Sequence, residues 1–162
     1  MPSKKIASAL NQQIQSEFYS AYLYLSMSAY CQEIHLDGFA HWLQVQSKEE
    51  IGHAMRIYSY LNNRGGRVVL QAIDRPPESF KSPRRMFEQI LKSEQEISKA
   101  IHKLYKLAQD EKDYATEVEL QWFINEQVEE EKTAGDILQK LTLVGDQPAT
   151  LLMMDHHLGA RQ

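Results

Sequence analysis

Residues 65–81 read GGRVVLQAIDRPPESFK and lie between two long stretches with helical periodicity. The paired glycines and the paired prolines interrupt that periodicity, so we expect an irregular segment here. When extended, a segment of this length spans about 55 Å, at about 3.3 Å per residue. A helix of about 28 residues is only about 42 Å long. The segment can therefore cross the full length of its neighbours, and the helices before and after it are predicted to run parallel.

Four long helices and one short helix are predicted around this crossover. Asp37, Ser82 and Asp113 are the expected N-caps, and Gly145 is the expected C-terminal stop of the fourth helix. Short links make the first and last pairs of long helices antiparallel, which gives an all-α four-helix bundle with one long crossover. We expect one domain over residues 1–162. The predicted helices span about 4–33, 38–64, 83–110, 113–144 and 147–158.

Composition and charge exclude several classes of protein. The 162 residues include 22 acidic and 18 basic residues, so no basic surface for nucleic acid is expected. No run approaches the roughly 18 apolar residues that a membrane span requires, so we expect a soluble protein. With one cysteine, Cys31, and no signal-peptide pattern at the start, the expected location is the cytoplasm.

Each long helix interrupts its apolar face with a carboxylate, an imidazole or an amide. On the first helix, that apolar face is expected to include Phe18, Tyr24 and Leu25. One polar residue of each helix lies 12 to 14 residues beyond Lys4 or the predicted N-cap, which is near mid-helix. The midpoints of neighbouring helices lie side by side whether the helices run parallel or antiparallel. The groups should therefore converge on one site in the bundle. In chain order they are Glu17, Glu50, His53, Glu94, Gln127 and Glu130.

This convergence predicts a metal site. Burying several carboxylates without a countercharge costs several kcal/mol each, and no lysine or arginine lies on these faces near mid-helix. Glu50 and His53 are three residues apart and share one helix face, and an oxygen-rich ligand set with one imidazole suits iron or manganese. One metal ion is expected at Glu17, Glu50 and His53, and a second at Glu94 and Glu130, with Glu50 bridging.

Two further residues are expected beside these ligands. Gln127 is expected to orient water or a bound oxygen species rather than to ligate strongly. Tyr24 lies two turns beyond Glu17 on the same helix face. It is expected either to hydrogen-bond a ligand or supply an electron, or to be an ordinary core tyrosine.

At these residues the sequence resembles the prokaryotic non-haem ferritins, and the similarity covers nearly the whole chain. It implies a ferritin-like four-helix bundle with a short fifth helix. It also implies a ferroxidase and iron store: a hollow shell of 24 identical subunits that oxidises Fe(II) with dioxygen or hydrogen peroxide and keeps the ferric mineral inside. The residues that carry the similarity are Glu17, Glu50-Ile51-Gly52-His53, Glu94 and Gln127-Val128-Glu129-Glu130.

The resemblance also implies a third iron site beside the pair, at Glu49, Glu126, Glu129 and Glu130. Without a metal ion, these glutamates of the fourth helix and Glu131 would form an ordinary solvated acidic run. On an ideal helical wheel Glu131 projects nearer the core than Glu130, whereas the resemblance favours Glu130.

Bacterioferritin is a second family to which the sequence can be compared. It has Glu-x-x-His motifs in both the second and fourth helices, and a methionine haem ligand beside the first motif. Here the fourth helix has Gln127-x-x-Glu130 and Ile51 follows Glu50, so no haem is expected. Two different functions also remain open for this chain: an inert shell subunit, and a helical interaction module that binds no metal.

Overall fold

The fold is known from a computed structural model that describes residues 1–145 and 147–162. It contains five helices, which begin and end within one residue of the predicted positions: α1 (Lys4–Glu33), α2 (Asp37–Asn63), α3 (Pro83–Asp110), α4 (Tyr114–Val144) and α5 (Pro148–Gly159). Ser82 and Asp113 cap α3 and α4 through their side-chain oxygens, as predicted. Gly145, at φ 64°, ends α4. The described residues contain no β-strand.

The predicted N-cap of α2 is wrong. Its N-cap is Leu36, which offers no side-chain hydrogen bond. After α1, His35 has a φ of 60° and reverses the chain. The turn is so tight that Asp37 already lies in the first turn of α2. There the charge of Asp37 still complements the helix dipole. A distant residue does the capping instead, because the Phe39 N–H donates to Asp155 Oδ1 of α5 at 2.9 Å.

The crossover lies along α1. Near the start of α1, the Asn11 side chain donates to the Arg67 carbonyl at 3.0 Å. Near its end, the Ser26 hydroxyl donates to the Pro77 carbonyl at 2.5 Å. The segment therefore returns the chain to the end of the bundle where α2 began, so α2 and α3 run parallel. The predicted fold class, a four-helix bundle with one long crossover and a short fifth helix, is confirmed.

The apolar core has two parts, one on each side of mid-bundle. One part contains Met27, Phe39 and Phe87. The other contains Ile57 and Phe123. Between these two parts all four long helices contribute buried polar residues.

One predicted core position of α1 is wrong. Leu25 is 46% exposed, whereas its neighbour Tyr24 is fully buried. The two residues point about 100° apart around the helix, and the buried face of α1 is centred on Tyr24.

Candidate metal centre

Six polar side chains from the four long helices meet at mid-bundle. The structure brings together all the residues predicted for the pair of metal ions, together with Gln127. None of the six is more than 7% exposed, so the group is shielded from solvent on every side. These residues are Glu17, Glu50, His53, Glu94, Gln127 and Glu130.

The potential ligand atoms form overlapping groups. Within each group, all the ligand atoms lie within 4.8 Å of one another. The first group is Glu17, Glu50 and His53, and the second is Glu50, Glu94 and Glu130. Because Glu50 belongs to both, the geometry suits two adjacent cations that would share one carboxylate. This is the division of ligands that the sequence predicts.

The Glu17 carboxylate provides a test of whether these residues fit a metal ion. Its Oε1 accepts a hydrogen bond from Gln13 Nε2 at 2.8 Å. Its Oε2 is buried and has no hydrogen-bond partner among the residues that the structure describes. A buried oxygen without a partner is costly, and a cation shared with Glu50 and His53 would supply one. The residues present therefore fit a bound metal ion.

Crowding and burial make the centre retain protons. Burial, together with the charge of Glu50, raises the pKa of Glu94 to about 7 and that of Glu130 to about 8. The same two effects raise the pKa of Glu17 well above its usual range. Burial alone would lower the pKa of His53, but its hydrogen bond to Glu50 and the charge of Glu50 raise it to about 9. A divalent cation would replace this excess of protons.

The comparison with known proteins agrees with this geometry. Residues 7–144 match the ferritin family of ferritin-like domains. The chain belongs to the ferritin family. A bacterial non-heme ferritin of Staphylococcus epidermidis is 40% identical to it over 161 residues, which is 99% of this chain and 97% of that relative. A bacterial non-heme ferritin of Staphylococcus aureus is 38% identical, with the same coverage.

Solved structures support the same family assignment. An open pore ferritin from the hyperthermophilic archaeon Archaeoglobus fulgidus superposes on this ferritin with a TM-score of 0.99, 47% sequence identity and full coverage of both chains. A humanized archaeal ferritin gives a TM-score of 0.99 at 46% identity, covering 100% of this chain and 99% of that one. The predicted family is thereby confirmed. Within the described ranges, no helix is long and apolar enough to cross a membrane.

In this ferritin, Glu94 is held by two neighbours that the sequence had indicated. The Tyr24 hydroxyl donates to Glu94 Oε1, and Gln127 Nε2 donates to Glu94 Oε2 at 3.1 Å. Burial and the charge of Glu94 raise the pKa of Tyr24 well above its usual range, so the hydroxyl keeps its proton. Of the two roles left open for Tyr24, the structure shows the contact with a candidate ligand.

Gln46 is a site residue of this ferritin that the sequence analysis missed. It is 1% exposed, and its Nε2 donates to Glu50 Oε1 at 3.1 Å and to Glu130 Oε2 at 2.7 Å. Gln46 lies four residues before Glu50, just as Gln13 lies four residues before Glu17. A glutamine one turn before each of these two glutamates is the signal that could have found both amides.

The residues predicted for a third iron site are only partly brought together. Glu126 Oε1 lies 3.9 Å from His53 Nε2, and these two residues form a third ligand group with Glu130. Glu49 instead accepts a hydrogen bond from Arg161 Nη2 at 2.6 Å. Glu129 is exposed and belongs to none of the ligand groups found in the described part of the chain.

The structure resolves the conflict between Glu130 and Glu131. Glu130 is 7% exposed and faces the centre, whereas Glu131 is half-buried and accepts a hydrogen bond from the Ser98 hydroxyl at the side of the bundle. The ideal wheel was wrong here because it counted Ile124 and Leu138, which are only partly buried, as core positions of α4.

Proposed function

We propose that this ferritin oxidises Fe(II) at the centre of each subunit and stores the ferric product. The observation that supports this most directly is the pair of buried ligand groups that share Glu50. One Fe(II) would be held by Glu17, Glu50 and His53, and the other by Glu94 and Glu130 with Glu50 shared. Two metal ions about 3.5–4 Å apart can both take part in the same reaction.

Iron is the substrate in this proposal. Two Fe(II) ions give up one electron each. Together with two protons, these electrons reduce one dioxygen to hydrogen peroxide, or one hydrogen peroxide to two waters. Protons held at Glu94, Glu130 and His53 leave as Fe(II) binds, since a ligating carboxylate or imidazole must be deprotonated. Tyr24 and Gln127 hold Glu94 in place by donating to its two oxygens.

Storage requires an enclosed space, and we propose a shell of 24 copies of this chain. Large apolar side chains remain exposed on α1, α2 and the crossover, with 41–65% of their surface accessible, and such surfaces mark contacts with other chains. The exposed residues are Tyr22, Leu25, Ile51, Met55, Val69, Leu70 and Ile73.

The chain is proposed to be one domain over residues 1–162, and its cytoplasmic location stays a prediction.

Stopped-flow oxidation of Fe(II) by the metal-free protein in air tests the proposal. We expect a fast phase that saturates at about two irons per chain, or about three if Glu126 and its neighbours bind another. Glu94→Ala should remove the fast phase. Glu96→Ala is the matched control, because Glu96 lies on the same helix with 60% of its side chain exposed. An oxidation rate no faster than that of buffer alone would contradict the ferroxidase and favour an inert subunit.

A further inference from the structure

Arg161, next to the chain end, is held against α2 by both terminal nitrogens of its side chain. Nη1 donates to Gln46 Oε1 at 2.9 Å, and Nη2 donates to Glu49 Oε2 at 2.6 Å. The guanidinium carbon lies 4.6 Å from the centroid of the Trp42 ring. The Arg161 carbonyl lies 2.7 Å from His41 Nε2. These contacts hold both the side chain and the backbone of Arg161 against α2.

Helix α5 determines where Arg161 can reach. Asp155 Oδ1 accepts a hydrogen bond from the Phe39 N–H, so α5 is attached to the first turn of α2. The two backbones touch at Gly38, where an added Cβ would lie 1.7 Å from the Asp155 carbonyl oxygen. With α5 docked in this way, the residues that follow it run along α2 toward mid-bundle.

Gln46 connects Arg161 to the metal centre. The amide oxygen of Gln46 faces Arg161, and its nitrogen donates to Glu50 and Glu130, which lie on different helices. An arginine has donors and no acceptor, and the carboxylates of Glu50 and Glu130 have acceptors only once they are ionised, as metal binding requires. In the ionised centre, a flipped Gln46 amide would therefore lose its partners on both sides. Arg161 thus determines which end of this buried amide faces the candidate ligands.

We propose that Arg161 is a positioning residue of the metal centre, which acts through Gln46 to hold Glu50 and Glu130 in the arrangement that binds metal. This inference rests on the proposed function, since it takes both glutamates as ligands. Groups that orient metal ligands typically contribute about 10–100-fold to metal affinity. Docking of α5 would then be part of building the centre.

The test uses Co(II) as a spectroscopic probe of the metal-free, full-length protein under anaerobic conditions. Arg161→Met keeps an apolar stem over Trp42 and removes every donor, while Gln46→Leu removes the amide at similar size. We expect each variant to bind Co(II) about tenfold more weakly than the parent and to change its visible absorption spectrum. The double variant should bind no more weakly than Gln46→Leu alone. Arg85→Met, at an arginine with 59% of its side chain exposed, is the matched control.

Two results would overturn the inference. One is an Arg161→Met protein with the affinity and spectrum of the parent; the other is an effect of Arg161→Met that keeps its full size in the Gln46→Leu background. If Arg161→Met does not fold, Gln46→Leu tests the same link alone, and parental Co(II) binding by that variant overturns it. Failure of the proposed function gives a different result. In that case the parent would bind no Co(II), or Glu50→Ala would leave its Co(II) binding unchanged.

Discussion

At the scale of single residues, the Glu17 carboxylate is costly to bury in the metal-free protein. Its Oε2 is buried and unpartnered among the described residues, while Oε1 is bonded to Gln13. Glu17→Gln removes the ionisable group and keeps an oxygen for Gln13. We expect the metal-free variant to be more stable than the parent by about 1–3 kcal/mol at pH 8, because on folding the parent must either take up a proton at Glu17 or bury its charge. Urea unfolding of both proteins measures the difference.

The same substitution should weaken metal-dependent stabilisation, because it removes one ligand from the first group. The rise in melting temperature on adding Mn(II) should be smaller than in the parent. Glu33→Gln, at an exposed glutamate of the same helix, is the control and should change neither quantity. A metal-free Glu17→Gln protein less stable than the parent would contradict this account of the site.

The raised pKa values predict how the stability of the metal-free protein depends on pH. The pKa of Glu94 rises from 4.5 to about 7, that of Glu130 from 4.5 to about 8, and that of His53 from 6.5 to about 9. Between these limits the folded state binds more protons than the unfolded state, so its stability falls as pH rises. We expect the melting temperature to fall by several degrees between about pH 5 and pH 9.

Metal should reverse this trend, because binding replaces protons and so becomes stronger as pH rises. Glu94→Gln should flatten the lower part of the pH profile, whereas Glu96→Gln should leave it unchanged between pH 5 and pH 9. Differential scanning calorimetry with and without Mn(II) supplies both curves. A melting temperature of the metal-free protein that rises across this range would refute the assignment of excess protons to the centre.

At the scale of elements, the contact between α2 and α5 depends on one glycine. A Cβ on residue 38 would overlap the Asp155 carbonyl, so Gly38→Ala must push α5 away from α2. We expect a loss of about 1–3 kcal/mol in the free energy of unfolding, as for other overpacked contacts. Gly52→Ala is the matched control on the same helix, since nothing lies within 4 Å of its Cβ. That control should be neutral or stabilising by about 0.5–1 kcal/mol, and equal behaviour of the two variants would contradict the close approach.

The buried face of α4 explains why the helical wheel misplaced Glu130 and Glu131. Its buried residues alternate spacings of four and three, the 3.5-residue repeat of helices that supercoil around one another. A wheel that also counts Ile124 and Leu138, which are only partly buried, turns its centre toward Glu131 and away from Glu130. The same repeat runs through α1 and places Tyr24, not Leu25, in the core. The buried positions of α4 are Thr116, Leu120, Phe123, Gln127, Glu130, Ala134, Ile137 and Leu141.

At the scale of the whole molecule, the proposed shell predicts self-association through the exposed apolar residues. Leu70, on the crossover, is 65% exposed. Placing a charge there should reduce the assembly to small species without loss of helix, because an apolar contact would then bury an unpaired charge. Light scattering coupled to gel filtration compares Leu70→Glu with Gln71→Glu, which adds the same charge at an exposed polar neighbour. A parent protein that is monomeric at every concentration would rule out the shell and leave the metal centre untouched.

The sequence by itself determined the helices, the parallel course of α2 and α3, and the residues that meet at mid-bundle. These features depend on local signals: apolar periodicity, capping residues, the length of the crossover, and the depth of each polar residue in its helix. The pairing of Glu50 with His53 is equally local, since three residues separate them.

Only the tertiary structure decided which side of each helix is buried to within one residue, and which partners the candidate ligands have. The neighbours against which a helix packs decide which of its apolar residues are fully buried, so the sequence does not separate the partly buried Ile124 and Leu138 from the core residues of α4. The contacts of Asp155 with Phe39 and of Arg161 with Gln46 join residues 116 and 115 positions apart. No periodicity within one segment records such a contact, because it exists only once α5 has docked on α2.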